Sequence, residues 1–533
     1  MQPTKNSRPH GGVRGANLSR SSVLFDGPFG RIFRAVPAAD FGGSDAETIK
    51  NLTELAEKMI SDDSKSSDGP DSEESGIPAA FTYFGQFIDH DLTFDPASSL
   101  QKQNDLDALV DYRTPRFDLD NVYGRGPDDQ PYMYTKPKGA AAERFVLGKV
   151  LTGAVEVNSG AHDLQRNGQL PKRALIGDPR NDENVIVSQL QGLFHRLHNR
   201  IADENPMWPF AKVQQSVRFH YQWVLLHDFL PKLIAGKVLD EILPKASDGS
   251  LIVEKKSLKF FHPKDEAFMP LEFSAAAYRF GHSMIRPGYR LNDTEDTLLP
   301  IFLFGPNEKD LRGFQEPLDG WAIDWRRFID LAPMAYGGPI DKPDSAIPGN
   351  KARLQLAYRI DTSLTNPLGK LPKSIAFDPS SLALRNLERG WRMRLPSGQD
   401  VARAMGVDPL TEAQLVLGKF TGTADDAKAF IPIGSLAGGV FKDNCPLWAY
   451  VLAETQHHKE TITLKTTDGD KTFEAPKLGE VGGRIVGETF VGLLLADSSS
   501  YVSLDPRWKP NYMQHGVFGL RELIAAALGF TIA

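Results

Sequence analysis

From Pro78 to the C-terminus the apolar residues recur with helical spacing, and no stretch interrupts them long enough to act as a linker. In IVSQLQGLFHRLHNRIA (186–202), Leu190, Leu193, Phe194, Leu197 and Ile201 fall three and four apart, which puts them on one helix face. VRFHYQWVLLHDFLPKLI (217–234), FSAAAYRFGHSMI (273–285) and GEVGGRIVGETFVGLLLADS (479–498) read the same way. In the last, Gly483 and Gly487 stand four apart, so both small residues face one neighbour. Period-two alternation is scarce, and Thr461–Thr467 is its best instance. No fixed-period repeat is present. Although 533 residues are enough for several domains, the pattern predicts one large, mainly α domain with very little β over 21–533. A helix is expected around 45–60. The Ser-, Asp- and Glu-rich stretch after it, about 61–76, reads as a mobile loop, and the polar residues 1–20 read as a disordered tail.

Charge and cysteine content narrow the function classes. The net charge is −7 and no Lys/Arg run occurs, so neither nucleic acid nor an anionic membrane surface is indicated as a partner. The one cysteine, Cys445, rules out an intrachain disulfide and any cysteine-only metal site. The N-terminal residues lack the apolar stretch of a secretory signal, and VGLLLA (491–496) is far too short to cross a bilayer. The expectation is a soluble protein, cytoplasmic or exported without a standard signal. Gly-rich phosphate loops and G-x-S-x-G are missing, which leaves nucleotide and serine-hydrolase readings without support.

Five segments carry polar groups where apolar ones would be expected. In GQFIDHDLTFD (85–95), a helix over Phe81–Leu92 puts Gln86 and His90 on one face with Asp89 beside them. One histidine in such a helix is ordinarily a satisfied core residue. An amide, two carboxylates and an imidazole within six residues are costly to bury unless they bind something. TPRFDLDNVYG (114–124) alternates Thr114, Arg116, Asp118 and Asp120, as a loop does when it wraps a hard cation, or as an Asp-rich turn does. In GDPRNDEN (177–184), Arg180 and Glu183 are three apart at a helix start, where a cation opposes the helix dipole unless it serves a salt bridge or an external group. In AYRFGHSMIRPGYRLND (277–293), His282 follows Gly281, which leaves room for something flat. In LALRNLERGWRMRLPSGQ (382–399), Asn386 is a polar residue in a partly apolar helix.

In this order and spacing, the five segments resemble the animal-type haem peroxidases of the peroxidase–cyclooxygenase superfamily, over roughly 78–400. The C-terminal third is similar, more weakly, to bacterial members. The resemblance implies a haem b derivative, with His90 as the distal histidine, Gln86 its neighbour and Arg180 the distal arginine. It implies His282 as the iron ligand, Asn386 as the partner that accepts its N–H, and Arg279 as the partner of a haem propionate. Asp89 and Glu183 match the carboxylates that form ester bonds to haem. Asp91, Thr114, Arg116, Asp118 and Asp120 match a structural Ca2+ site, Thr114 and Arg116 through backbone carbonyls. Two departures stand out. Asn184 occupies the place of a methionine that forms a sulfonium link in myeloperoxidase, and a single cysteine cannot supply the vertebrate members' disulfides.

What the resemblance implies chemically is reduction of hydrogen peroxide through a ferryl intermediate. Bromide, iodide, thiocyanate or phenols would be the electron donors. Two other readings belong beside it. A fatty-acid dioxygenase of the same superfamily needs a radical-forming tyrosine three residues before the iron-ligating histidine. That place is Arg279, while Tyr278 is one residue off and about 100° around a helix. A non-catalytic haem-binding or adhesion protein would not need every catalytic position filled.

Overall fold

The computed structural model of the chain describes residues 27–61, 68–94, 110–111, 113–154, 156–170, 172–263, 267–294, 298–303, 309–341, 346–347, 349–373, 375–376 and 378–532. The 1–20 tail and residues 62–67 of the acidic stretch lie outside these. Helix α1 (Asp45–Lys58) begins where the Ser44 side chain accepts from Glu47 N, with Asp45 and Glu47 in its first turn and Lys58 in its last. Helix α2 (Ala80–Leu92) has no side-chain cap. Its start is instead sewn to other loops, Ala79 N donating to Gln355 O and Ala80 N to Phe328 O.

The core forms where α2 meets α3 (Val185–Glu204) and α4 (Phe210–Val224). Phe87 stacks on Phe194 of α3 with ring centres 4.6 Å apart. Phe84 meets Tyr221 of α4 and Phe229 edge-on. Truncating one such ring to alanine costs about 3–5 kcal/mol, so this aromatic layer fixes where α2 sits. The helix expected over 217–234 is present with one change: a wider π turn at Leu225–Phe229 leads into Leu230–Leu233. Pro231 has no N–H to give an ordinary turn, and Trp223 and His227 stack 3.7 Å apart across the widened one.

Three more helices follow: α5 (Gly236–Ile242), α6 (Leu382–Arg392), which packs on α1, and α7 (Leu447–Glu454). In α8 (Gly482–Ala496) the paired glycines behave as their spacing predicts. A Cβ on Gly483 would lie 2.9 Å from Ile234 Cγ2, and one on Gly487 2.7 Å from Ile242 Cδ1. The helix expected over 273–285 is not continuous. One turn at Leu271–Ser274 is followed by a 3-10 segment, Ala277–His282, with a break at Ala276 (φ −140°, ψ −77°). The Arg279 Nε donates to Ser274 O at 3.0 Å and Trp448 Nε1 to Arg279 O at 3.2 Å, so side chains take carbonyls that a longer helix would use.

Strands are few and short. The alternating pattern near 461–467 is a hairpin of β strands Lys459–Leu464 and Lys471–Pro476, with Ile462 opposite Phe473. The acidic loop ends earlier than expected. Glu74–Pro78 is a fully buried strand antiparallel to Leu356–Tyr358. Glu74 is buried because Arg286 and Arg353 each donate to it at 2.7 Å, and the composition of the stretch gave no sign of these distant partners.

Candidate active site

Gly85, Gln86 and Asp89 are the only residues of α2 that are not buried, and they form one stripe of the helix. His90 lies beside that stripe, 5% exposed. Its Nδ1 is 2.7 Å from Asn181 Oδ1, an atom that can only accept, so the ring proton sits on Nδ1 and Nε2 is bare. Nε2 is 3.7 Å from Glu183 Oε1. Burial, and then the cationic Arg180, lower the His90 pKa to about 4 against the pull of Asp178 and Asp89, so the ring is neutral at physiological pH. Glu183 keeps 35% of its side chain exposed. Desolvation there, with the charges of Asp178 and Asp89, outweighs Arg180 and Gln86 and raises its pKa to about 7.

Around these groups the polar contacts are specific. The Gln86 amide donates to Glu183 Oε1. Asn184 Nδ2 donates to Gln86 Oε1 at 3.1 Å, and its own oxygen caps α3 at Ile186 N and Val187 N. Asn184 is therefore both a helix cap and the group that turns the Gln86 amide toward Glu183. Asp89 Oδ1 accepts from Thr93 Oγ1 at 3.1 Å.

Arg180 is placed next to His90, but its guanidinium is largely spoken for. Nη2 donates to Asp178 at 2.9 Å, to His90 O at 3.1 Å and to Thr93 O, while the Phe94 ring lies 4.6 Å below. The charge at this helix start thus has a buried salt bridge, and Nη1 is left without a partner among the described residues. Asp178 was not singled out from sequence, although an Asp before Pro-Arg is a helix-start signal. It caps the turn at Arg180 N and pairs with Arg113. Burial opposes its charge, but Arg113 and Arg180 together hold its carboxyl well below the usual range.

Arg113, fully buried and also missed, ties this region to a second one. Its Nε donates to His90 O at 3.1 Å and pairs with Asp120 at 3.4 Å. Asp91, Asp118 and Asp120 are all buried, and each offers an oxygen within 4.8 Å of the others. Both Asp91 oxygens lack a hydrogen-bond partner among the described residues. Burial and then Asp118 and Asp120 push the Asp91 pKa well up. Orphaned, convergent carboxylate oxygens fit a hard divalent cation. Thr114 Oγ1 donates to Asp118 Oδ2 at 2.8 Å, and the Arg116 side chain pairs with Asp497 at 4.0 Å.

Facing α2, the Ala277–His282 segment carries the other predicted group, and Tyr278 OH donates to Gly85 O at 3.2 Å across the junction. Residues three apart eclipse on a 3-10 turn, which brings Arg279 and His282 to one side. Burial and then Arg279 lower the His282 pKa to about 3. Asn386 of α6 does meet His282, but with reversed polarity. Asn386 Nδ2 is 2.8 Å from His282 Nδ1, so the amide donates, because Arg279 Nη1 takes the amide oxygen at 2.9 Å. Arg279 has no ion pair among the described residues, and burial lowers its pKa to about 10. A buried guanidinium of this kind fits an acid group of a cofactor. A Cβ on Gly281 would meet nothing within 4 Å. Neutral His282, lone Arg279 and open Gly281 together fit haem.

A neutral histidine, an amide and an arginine thus gather at α2, and a second such set gathers at the Ala277–His282 segment and α6. Residues 106–301 match the animal haem peroxidase family, a span that contains Arg180, Glu183, Arg279 and His282 but not His90 or Asn386. Human probable oxidoreductase PXDNL is 30% identical over 239 residues, 41% of this chain and 15% of the relative. The chorion peroxidase of Aedes aegypti is 23% identical over 359 residues, 65% of this chain and 37% of the relative. Mouse myeloperoxidase is 22% identical over 277 residues, 40% and 37% of the two chains. The matches therefore span well under half of these relatives' own lengths. Among solved structures, peroxidase A of Dictyostelium discoideum superposes with a TM-score of 0.57 at 16% identity, covering 91% of this chain and 90% of that one. The fatty acid alpha-dioxygenase of Oryza sativa superposes with a TM-score of 0.52 at 14% identity, covering 92% and 79%. At such identities these two likenesses concern the fold alone. Residues 106–301 therefore carry the match to an animal haem peroxidase domain, and the chain is similar to curated peroxidases over longer stretches.

Proposed function

We propose that the chain reduces hydrogen peroxide at a haem held between His90 and His282. The observation that carries this reading is the bare Nε2 of neutral His90 on α2, with a second neutral histidine, His282, on the segment packed against that helix. Haem, when bound, supplies the redox chemistry that splits the O–O bond. The residues supply the rest. His90 Nε2 takes the proton from one peroxide oxygen and delivers it to the other, which leaves as water. Arg180, a fixed cation beside His90, stabilises negative charge developing on the leaving oxygen. Gln86, oriented by Asn184, orders the small molecules in front of Nε2. His282 would ligate the iron once the Asn386 amide turns its oxygen to Nδ1, with Arg279 pairing with a propionate.

We assign Asp89 and Glu183 as carboxylates for ester bonds to the haem. Asp91, Asp118 and Asp120, with Thr114 and Arg116, are assigned to Ca2+. The donors we propose are bromide, iodide, thiocyanate and phenols. A neutral amide at His282 gives the ligand less anionic character than a carboxylate would, which favours an oxidising site. In the test, the haem-loaded protein is mixed with peroxide, then with each donor. A Soret change followed by donor oxidation supports the proposal. A Soret band indifferent to peroxide refutes it, and oxygen uptake with an unsaturated fatty acid would favour a dioxygenase instead. Tyr278 argues against that reading: it hydrogen-bonds Gly85 and lies in an aromatic cluster with Phe273, Phe280 and Phe490.

A further inference from the structure

Behind His90 the hydrogen bonds continue inward. Asn181 Nδ2 donates to Gln191 Oε1 at 2.9 Å. Gln191 Nε2 lies 2.9 Å from His195 Nε2. Asn181 and Gln191 are fully buried and His195 is 2% exposed. The His195 ring stacks on Phe145 with centres 4.1 Å apart and planes 4° from parallel. Two of these four residues come from helix α3, one helical turn apart, and Asn181 comes from the turn that precedes it.

As placed, the chain runs one way, and the tautomer of His195 goes with that direction. Gln191 presents its NH2 to His195, so its oxygen is left for Asn181. Asn181 must then present its own NH2 to Gln191, so its oxygen is left for His90. Turning Asn181 alone would set two amide oxygens against each other, and an NH2 against His90 Nδ1. Turning both amides requires the proton of His195 to sit on Nε2. With His195 Nε2 accepting, that proton sits on Nδ1, which has no partner among the described residues. The three side chains are buried from bulk solvent, where a reversed link is costly.

We propose that Asn181 is a positioning residue for His90, and that Gln191 and His195 fix which end of its amide His90 meets. The relay keeps the imidazole proton on Nδ1 and reserves Nε2 as the base. Its consequence for turnover rests on the peroxidase reading above, whereas the polarity of the relay stands apart from it. The fixed tautomer matters because a His90 with its proton on Nε2 cannot accept a proton there.

Two readouts test this. The first is histidine-selective 15N NMR of the full chain, with the His90 signals assigned by their loss in His90→Gln. Wild type is expected to show the Nδ1–H tautomer, and Asn181→Leu to lose it. The second is the rate of the peroxide-induced Soret change in haem-loaded protein of equal haem content. Asn181→Leu is expected to slow it by about 100-fold, the size of a lost general base. Asn181→Asp, which restores an acceptor, should recover at least about tenfold of that loss. If Asn181→Leu does not fold, Gln191→Met carries the test and should mix the two His90 tautomers. An unchanged Nδ1–H tautomer in Asn181→Leu, or in Gln191→Met where that variant stands in, overturns the proposal. So does a peroxide reaction of Asn181→Leu within about threefold of wild type. If wild type takes up no haem or ignores peroxide, the functional reading fails, and the NMR result still decides the relay.

Discussion

Removing calcium should lower the melting temperature of this protein by several degrees, and Asp91→Asn should abolish the response. Asp91, Asp118 and Asp120 bring oxygens within 4.8 Å of one another in a buried setting. At an effective dielectric constant of about 20, two unit charges at that separation repel by about 3.5 kcal/mol, so three ionised carboxylates repel by about 10 kcal/mol in all. Arg113 offsets part of this at Asp120. A bound divalent cation offsets the rest. For an ion at about 1000 times its dissociation constant, the stabilisation is about 4 kcal/mol. Unfolding entropy of about 2.1 cal/mol/K per residue over 533 residues makes about 1.1 kcal/mol per degree, so the shift is about 4 °C. The assay is thermal unfolding in calcium and in excess chelator, with ion content and the Soret-to-protein ratio measured on the same samples. Asp91→Asn removes one charge from the repelling set, so in chelator it should melt no lower than wild type. Because Asp91 directly follows His90, whose carbonyl Arg113 and Arg180 both hold, Asp91→Ala should also lose haem. A calcium-free wild type with unchanged melting temperature and haem content would falsify the site.

Other outcomes follow from single groups. Burial lowers the pKa of His220 to about 4, below its unfolded value. Its contribution is therefore complete above pH ~6.5 and is lost as pH falls toward 4, to the extent of roughly 3 kcal/mol. Glu454 and Asp361, raised to about 7 by burial, act in the opposite sense, so the check is the slope of melting temperature against pH in wild type minus that in His220→Gln. Because Arg279 has only an amide and a carbonyl as partners, haem with esterified propionates should bind at least about tenfold more weakly than the free acid in a Soret titration. Equal affinities would remove Arg279 from the cofactor site. Asn386→Asp should lower the reduction potential by ~60 mV or more in spectroelectrochemistry, and no shift would mean the residue does not tune the iron ligand. After peroxide treatment, haem should remain on peptides containing Asp89 and Glu183 in mass spectra. Free extraction into acidified organic solvent would sink the ester assignment.

What could be read from the sequence was whatever depends on local spacing. Gln86, Asp89 and His90 share a helix, so periodicity alone placed them together, and Gly483 and Gly487 announced the close helix contact by their spacing. Partners that arrive from distant segments were invisible. Nothing near Glu74 foretold Arg353, and nothing near His90 foretold Asn181 or Arg113, since one residue in a polar turn looks like any other until the fold brings it in. The 277–282 segment failed for a further reason: its pattern is helical, but side chains of Arg279 and Trp448 take the carbonyls of Ser274 and Arg279, and such competition has no signature in periodicity. Asn184 was noticed for the residue it replaces, and its actual work is to cap α3 and hold Gln86.

The two histidines are alike in charge and opposite in polarity. Burial holds both neutral, and each meets a buried asparagine through Nδ1, at 2.7 Å for His90 and 2.8 Å for His282. Asn181 offers its oxygen, which leaves Nε2 of His90 bare. Asn386 offers its NH2, which leaves the proton of His282 on Nε2, the nitrogen an iron must take. The difference has an identifiable cause. Asn181 is locked from behind by another amide, a neutral partner that no incoming anion displaces. Asn386 is turned by Arg279, a cation without a carboxylate of its own. An acid group arriving with a cofactor takes that cation by charge, and the amide is then free to turn its oxygen to His282. The base is thus preset, while the metal ligand is conditional on the anion. On the proposed reading, such a pair of histidines would favour a ligand that brings metal and acid together, as haem does.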